Sequence, residues 1–285
     1  MNKELIKTSQ EELDQLRASG KTDLSGRDMY GLDLKTQDLF QVNFTGSILK
    51  ATNCSGSNFS KANLTDANLQ EATFKLATLW QANLTGVNFI EANLEGANLT
   101  GAKAYGAVFR GGILWWVNLT GANLQAANLY ETDLGEANLQ GANLRGANLR
   151  GASLHKANLK GANLEYACLW GVDLENAHLK NASFLLADLG SASLAGANLY
   201  NTSLVGADLE GANLTGADLT GAYLRGANLD GANLATVNFN GADFTGANFN
   251  GANLYGADFG GAKITADQLK GAVNLDKAIN LVLAN

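Results

Sequence analysis

Proline is absent from all 285 residues of the chain. Proline carries no backbone N–H, so its absence suits a fold that needs nearly every donor in a hydrogen-bond ladder. Cysteine occurs only as Cys54 and Cys168, a pair that forms neither a disulfide framework nor a metal-ligand spacing. The two histidines, His155 and His178, stand at outward positions without the spaced partners of a metal site or a catalytic triad. They read as surface residues, and no metal, cofactor or catalytic group is expected. Charged residues make up only 16% of the chain, yet mean hydropathy is −0.07, which is not a disordered composition. No apolar run approaches a membrane span. The N-terminal stretch MNKELIKTSQEELDQL lacks the apolar core of a secretory signal. The expectation is a cytoplasmic protein with no membrane partner. A net charge of −7 keeps it soluble without identifying what it binds.

What the chain has is glycine, 33 of them, and a period of five. Every fifth residue from Leu24 to Ile264 gives forty-nine positions, of which forty-five are Leu or Phe. The exceptions are Met29, Cys54, Ala104 and Ile264, and the phase never slips. Two residues before each of these centres the residue is small: 34 of the 41 positions from Ala62 to Ala262 are Ala. Between them stands Asn or Asp as a rule, and two residues after the centre often Gly. The unit is A-(N/D)-L-x-G. Five matches neither the helical period nor the strand period. In a short extended segment, however, residues two apart face the same way, so Ala and Leu point inward together and Asn points out. Glycine then eases a turn. A chain turning the same way every five residues winds into stacked coils around a column of Leu and Phe, each coil depending on its neighbours for stability.

The runs ANLQGANLRGANLRGASL (137–154) and GADLEGANLTGADLTGAYL (206–224) resemble the consensus of the pentapeptide-repeat family, and the resemblance covers residues 22–266. It implies an all-β fold: a right-handed quadrilateral parallel β-helix with four units, or about twenty residues, per coil. Periodicity alone shows only the five. Residues 1–21 and 267–285 are expected to form short α-helical caps, since a solenoid exposes ladder groups at both ends. Ser9 and Glu12 make a capping-box pattern, Leu13 and Leu16 follow on one face, and Gly20 marks a stop, predicting a helix over residues 9–19. Thr265 and Gln268 repeat the pattern and predict a second helix over residues 266–272, with Leu275, Ile279 and Leu281 packing beneath it. Arg27, Leu32 and Gln37 replace the small residue, so the first coils depart most from the family pattern.

The most irregular stretch is KAYGAVFRGGILWWV (103–117), where Ala104 replaces a central Leu and Trp115 and Trp116 lie outward. Two readings stand: local drift in which Phe109 fills the lost volume, or an exposed aromatic patch for a partner. With twenty residues per coil, outward residues stack in rows, and one row reads Arg110, Tyr130, Arg150, Trp170. Arginine against aromatics at strand spacing suits cation–π stacking. The candidate partner-binding residues are therefore Arg110, Trp115, Trp116, Tyr130, Arg150 and Trp170. Charge is uneven: residues 145–160 hold Arg145, Arg150, Lys156 and Lys160 without an acid, whereas residues 188–258 hold seven acids and one Arg. The N-x-T triplets are by-products of the repeat. Cys54 takes a central position and reads as a packing residue.

Three functions follow in order. The first, implied by the resemblance, is a non-catalytic interaction scaffold or regulator of cyanobacterial type that binds another protein, does not bind nucleic acid, and is a monomer or an end-to-end homodimer. The second, implied by the family's quinolone-resistance branch, is a DNA-mimic inhibitor or protector of a type II topoisomerase. The mild charge and the basic residues at 145–160 stand against it. An enzyme comes last.

Overall fold

The computed structural model describes residues 5–283; residues 1–4 and 284–285 of the expected caps lie outside the described residues. The chain forms two compact units, Met1–Asn138 and Leu139–Asn285. Within each, parallel bridges join every residue before a centre to the residue twenty further on. The first unit has four such ladders, beginning Asp23↔Asn43, Asp28↔Ile48, Asp33↔Asn53 and Asp38↔Asn58. The second repeats the register from Asn143↔Asn163 to Asp243↔Lys263. A coil is thus twenty residues with four sides, and each side is only long enough for one bridging residue between corners.

The five-residue unit accounts for all five of its N–H groups. Around Leu64 in the first unit, Leu64 N donates to Asn83 O (2.8 Å) and Asn63 N to Val42 O (3.0 Å). Ala62 N closes a turn onto Phe59 O (3.0 Å), and Lys61 N reaches Trp80 O (2.8 Å). The fifth, Thr65 N, donates to the side chain of Asn63 (Oδ1, 3.2 Å). The Asn or Asp of the motif is therefore an Asx-turn acceptor for the one donor that the ladder leaves over. With all five donors used, proline fits at none of these positions.

The corner explains the glycine. It closes from the N–H of the Ala onto the carbonyl of the preceding centre and places positive φ only at its second interior residue, the signature of a type II turn. Glycine adopts this without cost. Even so, twenty-one other residues between Thr36 and Thr236 hold φ of 53–60° there, among them Trp116 and Tyr166. Left-handed backbone costs a side chain roughly 1–2 kcal/mol, so the stacking on both sides of each corner dictates it.

All forty-nine centres are buried to 1% exposure or less. Cys54 is among them, and burial pushes its thiol up to about 12. In the first unit a phenylalanine column runs through Phe44, Phe59, Phe74, Phe89 and Phe109, with centroids 5.1–5.7 Å apart. Phe109 stacks on Phe89 at 5.2 Å and 10°, beside the buried Ala104. In the second unit Phe239, Phe244, Phe249 and Phe259 form a similar cluster.

The N-terminal helix α1, Gln10–Ala18, forms where expected. Ser9 Oγ accepts from Glu12 N (3.1 Å), and the helix ends with Gly20 at φ 75°. Lys21 N to Leu16 O and Gly20 N to Arg17 O complete a Schellman motif. Leu13 is fully buried. Ahead of α1, strand β1 (Ile6–Lys7) pairs in parallel with β2 (Arg27–Asp28). The irregular residues of the first coils are the docking points of this cap: Arg27 bonds Glu12 (2.8 Å) and Thr8 (3.0 Å), and Gln37 accepts from Arg17.

The C-terminus differs from expectation. In place of an α-helix over 266–272 there are 3-10 turns at Asp267–Leu269 and Leu275–Lys277. The ladder itself runs on, through Asn253↔Val273 and Asp258↔Ile279, the second one residue out of register. A nine-residue span cannot both nucleate a helix and return to the next coil. Gln268 instead accepts from Thr265 N and donates to the carbonyls of Phe244 and Ala247, the latter being the one a backbone rung from residue 268 would reach. Ile279 therefore lies half exposed rather than beneath the base, while Leu275 and Leu281 are half-buried.

Among the described residues, Asp243, in the second unit, is the one carboxylate drawn into the wall. Burial alone would raise its pKa, but bonds from Thr245 (Oγ1, 2.7 Å) and Arg225 (Nε, 2.9 Å) bring it down to about 2. A carboxylate depressed on folding contributes stability above its unfolded value of about 4 and loses it as pH falls towards about 2. Asp243→Asn should unfold at lower temperature than wild type at pH 7, with the gap closing across that acid window.

Two further outcomes follow from the backbone and the core. Gly161 has φ 65° and open space where a Cβ would stand. Gly161→Val should therefore cost about 1–2 kcal/mol from backbone strain alone, and Gly161→Asn much less, as read by denaturant unfolding. Leu144→Asp should cost several kcal/mol, since it buries an unpaired carboxylate; a wild-type unfolding curve would refute its inward placement.

Candidate partner-binding surfaces

The six candidate residues fall in both units, and each group is built from its own ladder. In the first unit Arg110 is exposed and its carbonyl accepts from Glu91 N; Tyr130, half-buried, accepts on its carbonyl from Gly111 N (3.0 Å). They occupy successive coils of one outward row, as the twenty-residue spacing requires. Trp115 and Trp116 stack on each other at 4.7 Å and 29°, and Trp116 Nε1 donates to Glu136 (3.0 Å). Trp116 is 52% exposed at a corner where the repeat favours glycine. Trp115 lies flat over Gly135, where a Cβ would come within 1.8 Å of its Nε1. The pair is thus held by a glycine one coil on and by a carboxylate one coil on. Ile113, on the same side of the coil, is also exposed, and the backbone beneath the pair is rigid.

In the second unit Arg150 sits over the Trp170 ring at 5.2 Å, the cation–π pair expected from spacing. Trp170 is 48% exposed and leans over Gly190, whose missing Cβ would lie 3.0 Å from its Cδ1. Beyond the ring opens a groove of about 330 Å³ walled by Asp188, Asp208 and Glu210 and floored by Gly190 and Gly211. None of the three carboxylates has an ion-pair partner within 4.0 Å among the described residues. Cys168, at the rim, points its Sγ at Asp188 (3.6 Å), and burial raises its pKa. The groove combines an aromatic wall with negative charge, which suits a lysine or arginine side chain.

Spacing missed several pairs, two of which use an offset of one residue from twenty while Lys180 and Tyr200 stand at twenty itself. Arg145 sits over Tyr166 (4.7 Å) and Lys180 over Tyr200 (4.8 Å) in the second unit, and Lys61 over Trp80 (5.0 Å) in the first. The neighbour of a corner residue is found at 19 to 21 as well as at 20. His155, read from sequence as lacking partners, has two: a nitrogen of its ring and carboxylate oxygens of Asp173 and Glu175 lie within 4.8 Å of one another. The signal was available, since 155 and 175 are one coil apart. No helix among the described residues is long and apolar enough to cross a membrane.

Comparison with known proteins agrees with this architecture. The family model of pentapeptide repeats in eight copies matches residues 38–111 and 118–265. The omitted residues 112–117 carry the Trp115–Trp116 pair. Among solved structures, HetL, a pentapeptide repeat protein involved in heterocyst differentiation regulation from the cyanobacterium Nostoc sp. strain PCC 7120, is 32% identical. That match covers 88% of this chain and 96% of HetL, with a TM-score of 0.25. Full-length QnrB1, a plasmid-mediated fluoroquinolone resistance protein, is 18% identical over 85% of this chain and 96% of its own, with a TM-score of 0.28. Rfr23 from the cyanobacterium Cyanothece 51142 is 38% identical over 33% of this chain and 58% of its own, with a TM-score of 0.21. No curated protein matches. On its unbroken five-residue period, its four-sided coils and the family model that matches most of its length, the chain belongs to the pentapeptide-repeat family and folds as that family's right-handed parallel β-helix.

Proposed function

We propose that the protein is a non-catalytic, cytoplasmic scaffold that binds another protein through a basic segment of that partner. The observation that carries this reading is the groove beside Trp170: an exposed indole backed by Arg150, facing three carboxylates without ion-pair partners among the described residues. Aromatic residues and arginine dominate binding energy at interfaces, and a side chain whose backbone is already fixed in a ladder loses little entropy on binding. The Trp115–Trp116 patch of the first unit offers a second, apolar contact of the same kind. The reading as a non-enzyme rests on the two groups that titrate farthest from their usual range. Cys54 is sealed in the core and Asp243 is tied to Arg225, so both stabilise the fold.

A second reading, inhibition or protection of a type II topoisomerase by a surface standing in for DNA, is favoured by the carboxylates at 188, 208, 210 and 230. The cations at 145, 150, 156 and 160 weigh against it in the same unit.

Arg150→Ala combined with Trp170→Ala should leave the circular dichroism spectrum unchanged and reduce capture of the partner from host lysate by at least about tenfold, the loss of one modest hot spot. Asp208→Asn with Glu210→Gln should do the same and remove the salt dependence of capture. Undiminished capture by both folded variants refutes the site. Inhibition of gyrase supercoiling by the purified protein would favour the second reading.

A further inference from the structure

We propose that His155, Asp173 and Glu175 form a binding site for a divalent transition-metal cation of the zinc class on the surface of the second unit. The three residues come from two successive coils. His155 and Glu175 occupy the same corner position one coil apart, and Lys156 N, next to the histidine, donates to Glu175 O (2.9 Å). Asp173 lies two residues before Glu175 and bridges Ser153 in the ladder. The backbone thus fixes the spacing of all three Cα atoms before any ligand arrives.

The ligand atoms lie within 4.8 Å of one another, yet no nitrogen of His155, or of any other cation, comes within 4.0 Å of either carboxylate among the described residues. The histidine is therefore too far away to be the counter-ion of the acids. Ligands at about 2.0–2.2 Å from one tetrahedral ion stand about 3.3–3.6 Å apart, so the imidazole closes on the two carboxylates by about an ångström as the ion binds. Two carboxylates held together without a neutralising partner repel, and a divalent cation removes that repulsion.

The surroundings already orient the ligands. Ser193 Oγ donates to Glu175 Oε1 (2.9 Å), and Glu175 N donates to Asp173 Oδ1 (2.9 Å). One oxygen of each carboxylate is thereby held, as supporting hydrogen bonds hold ligands in metal sites, and the other is left for the ion. Above and below stand only short side chains, Ser153, Ser193 and Ala195, and all three ligands are half-buried, which leaves room for water. An imidazole with two carboxylates selects borderline ions over calcium or magnesium, which prefer all-oxygen shells. Three protein ligands leave a position open for water or for a side chain of another molecule.

The test is a titration of tag-free, EDTA-treated full-length protein with zinc chloride, followed by calorimetry and by thermal unfolding, with cobalt chloride as a spectroscopic probe. The expected result is one saturable zinc per chain and a cobalt absorption in the visible range. His155→Ala should weaken zinc binding by about a hundredfold and Ser193→Ala by about tenfold, while both variants keep the wild-type melting temperature in EDTA. Calcium and magnesium should not compete. Absence of saturable zinc binding, or zinc affinity unchanged in both His155→Ala and Glu175→Gln, overturns the assignment.

Discussion

The backbone hydrogen bond between a residue and one about twenty further along is the interaction on which everything else in each unit depends. It exists because the chain turns after every five residues, four times per coil, and it leaves each side of the coil only one bridging residue long. Such short sides carry almost no strand character by themselves. They persist because the coils on either side satisfy their donors and because Leu or Phe fills the interior at every centre. The Asn or Asp of the motif completes the account by accepting the fifth N–H. Where that position holds Val108, Ile113 or Tyr223 instead, the side chain offers no such acceptor, and the ladder alone holds the corner.

This constraint frees the outer surface. Since the inward residues and the corners specify the fold, outward side chains vary at little cost, and the residue stacked one coil away decides how each sits. Trp115 and Trp170 lie over Gly135 and Gly190, and Trp116 finds Glu136. The left-handed corner tolerates Trp116 and Tyr166 because the rungs on both sides leave the backbone no alternative. A rigid lattice with freely chosen side chains is well suited to presenting a recognition surface, and it places an arginine, an indole and three carboxylates around one groove.

Much of this was legible in the residues. The period fixed which side chains are inward, down to Cys54 and Ala104, because burial repeats with the turn. The serine and glycine around α1 marked its ends, because they satisfy specific backbone groups there. The outward pairs were harder to read. Arg150 with Trp170 followed from a spacing of twenty, whereas Arg145 with Tyr166 uses an offset of one, since long side chains at a corner lean across it. The cap contacts of Arg27 and Gln37 looked like departures from the repeat, because their partners lie in a helix outside the period.

By itself, then, the amino-acid sequence determined the repeat, the inward faces and the corners, all of which are local consequences of five-residue chemistry. Only the tertiary structure decided which distant residues meet. The meeting of His155 with Asp173 and Glu175 depends on the number of sides to a coil, and the C-terminal segment continues the ladder at Val273 and Ile279 while the Gln268 side chain takes the rung at Ala247. Both are settled by hydrogen bonds between coils, which no window of the sequence contains.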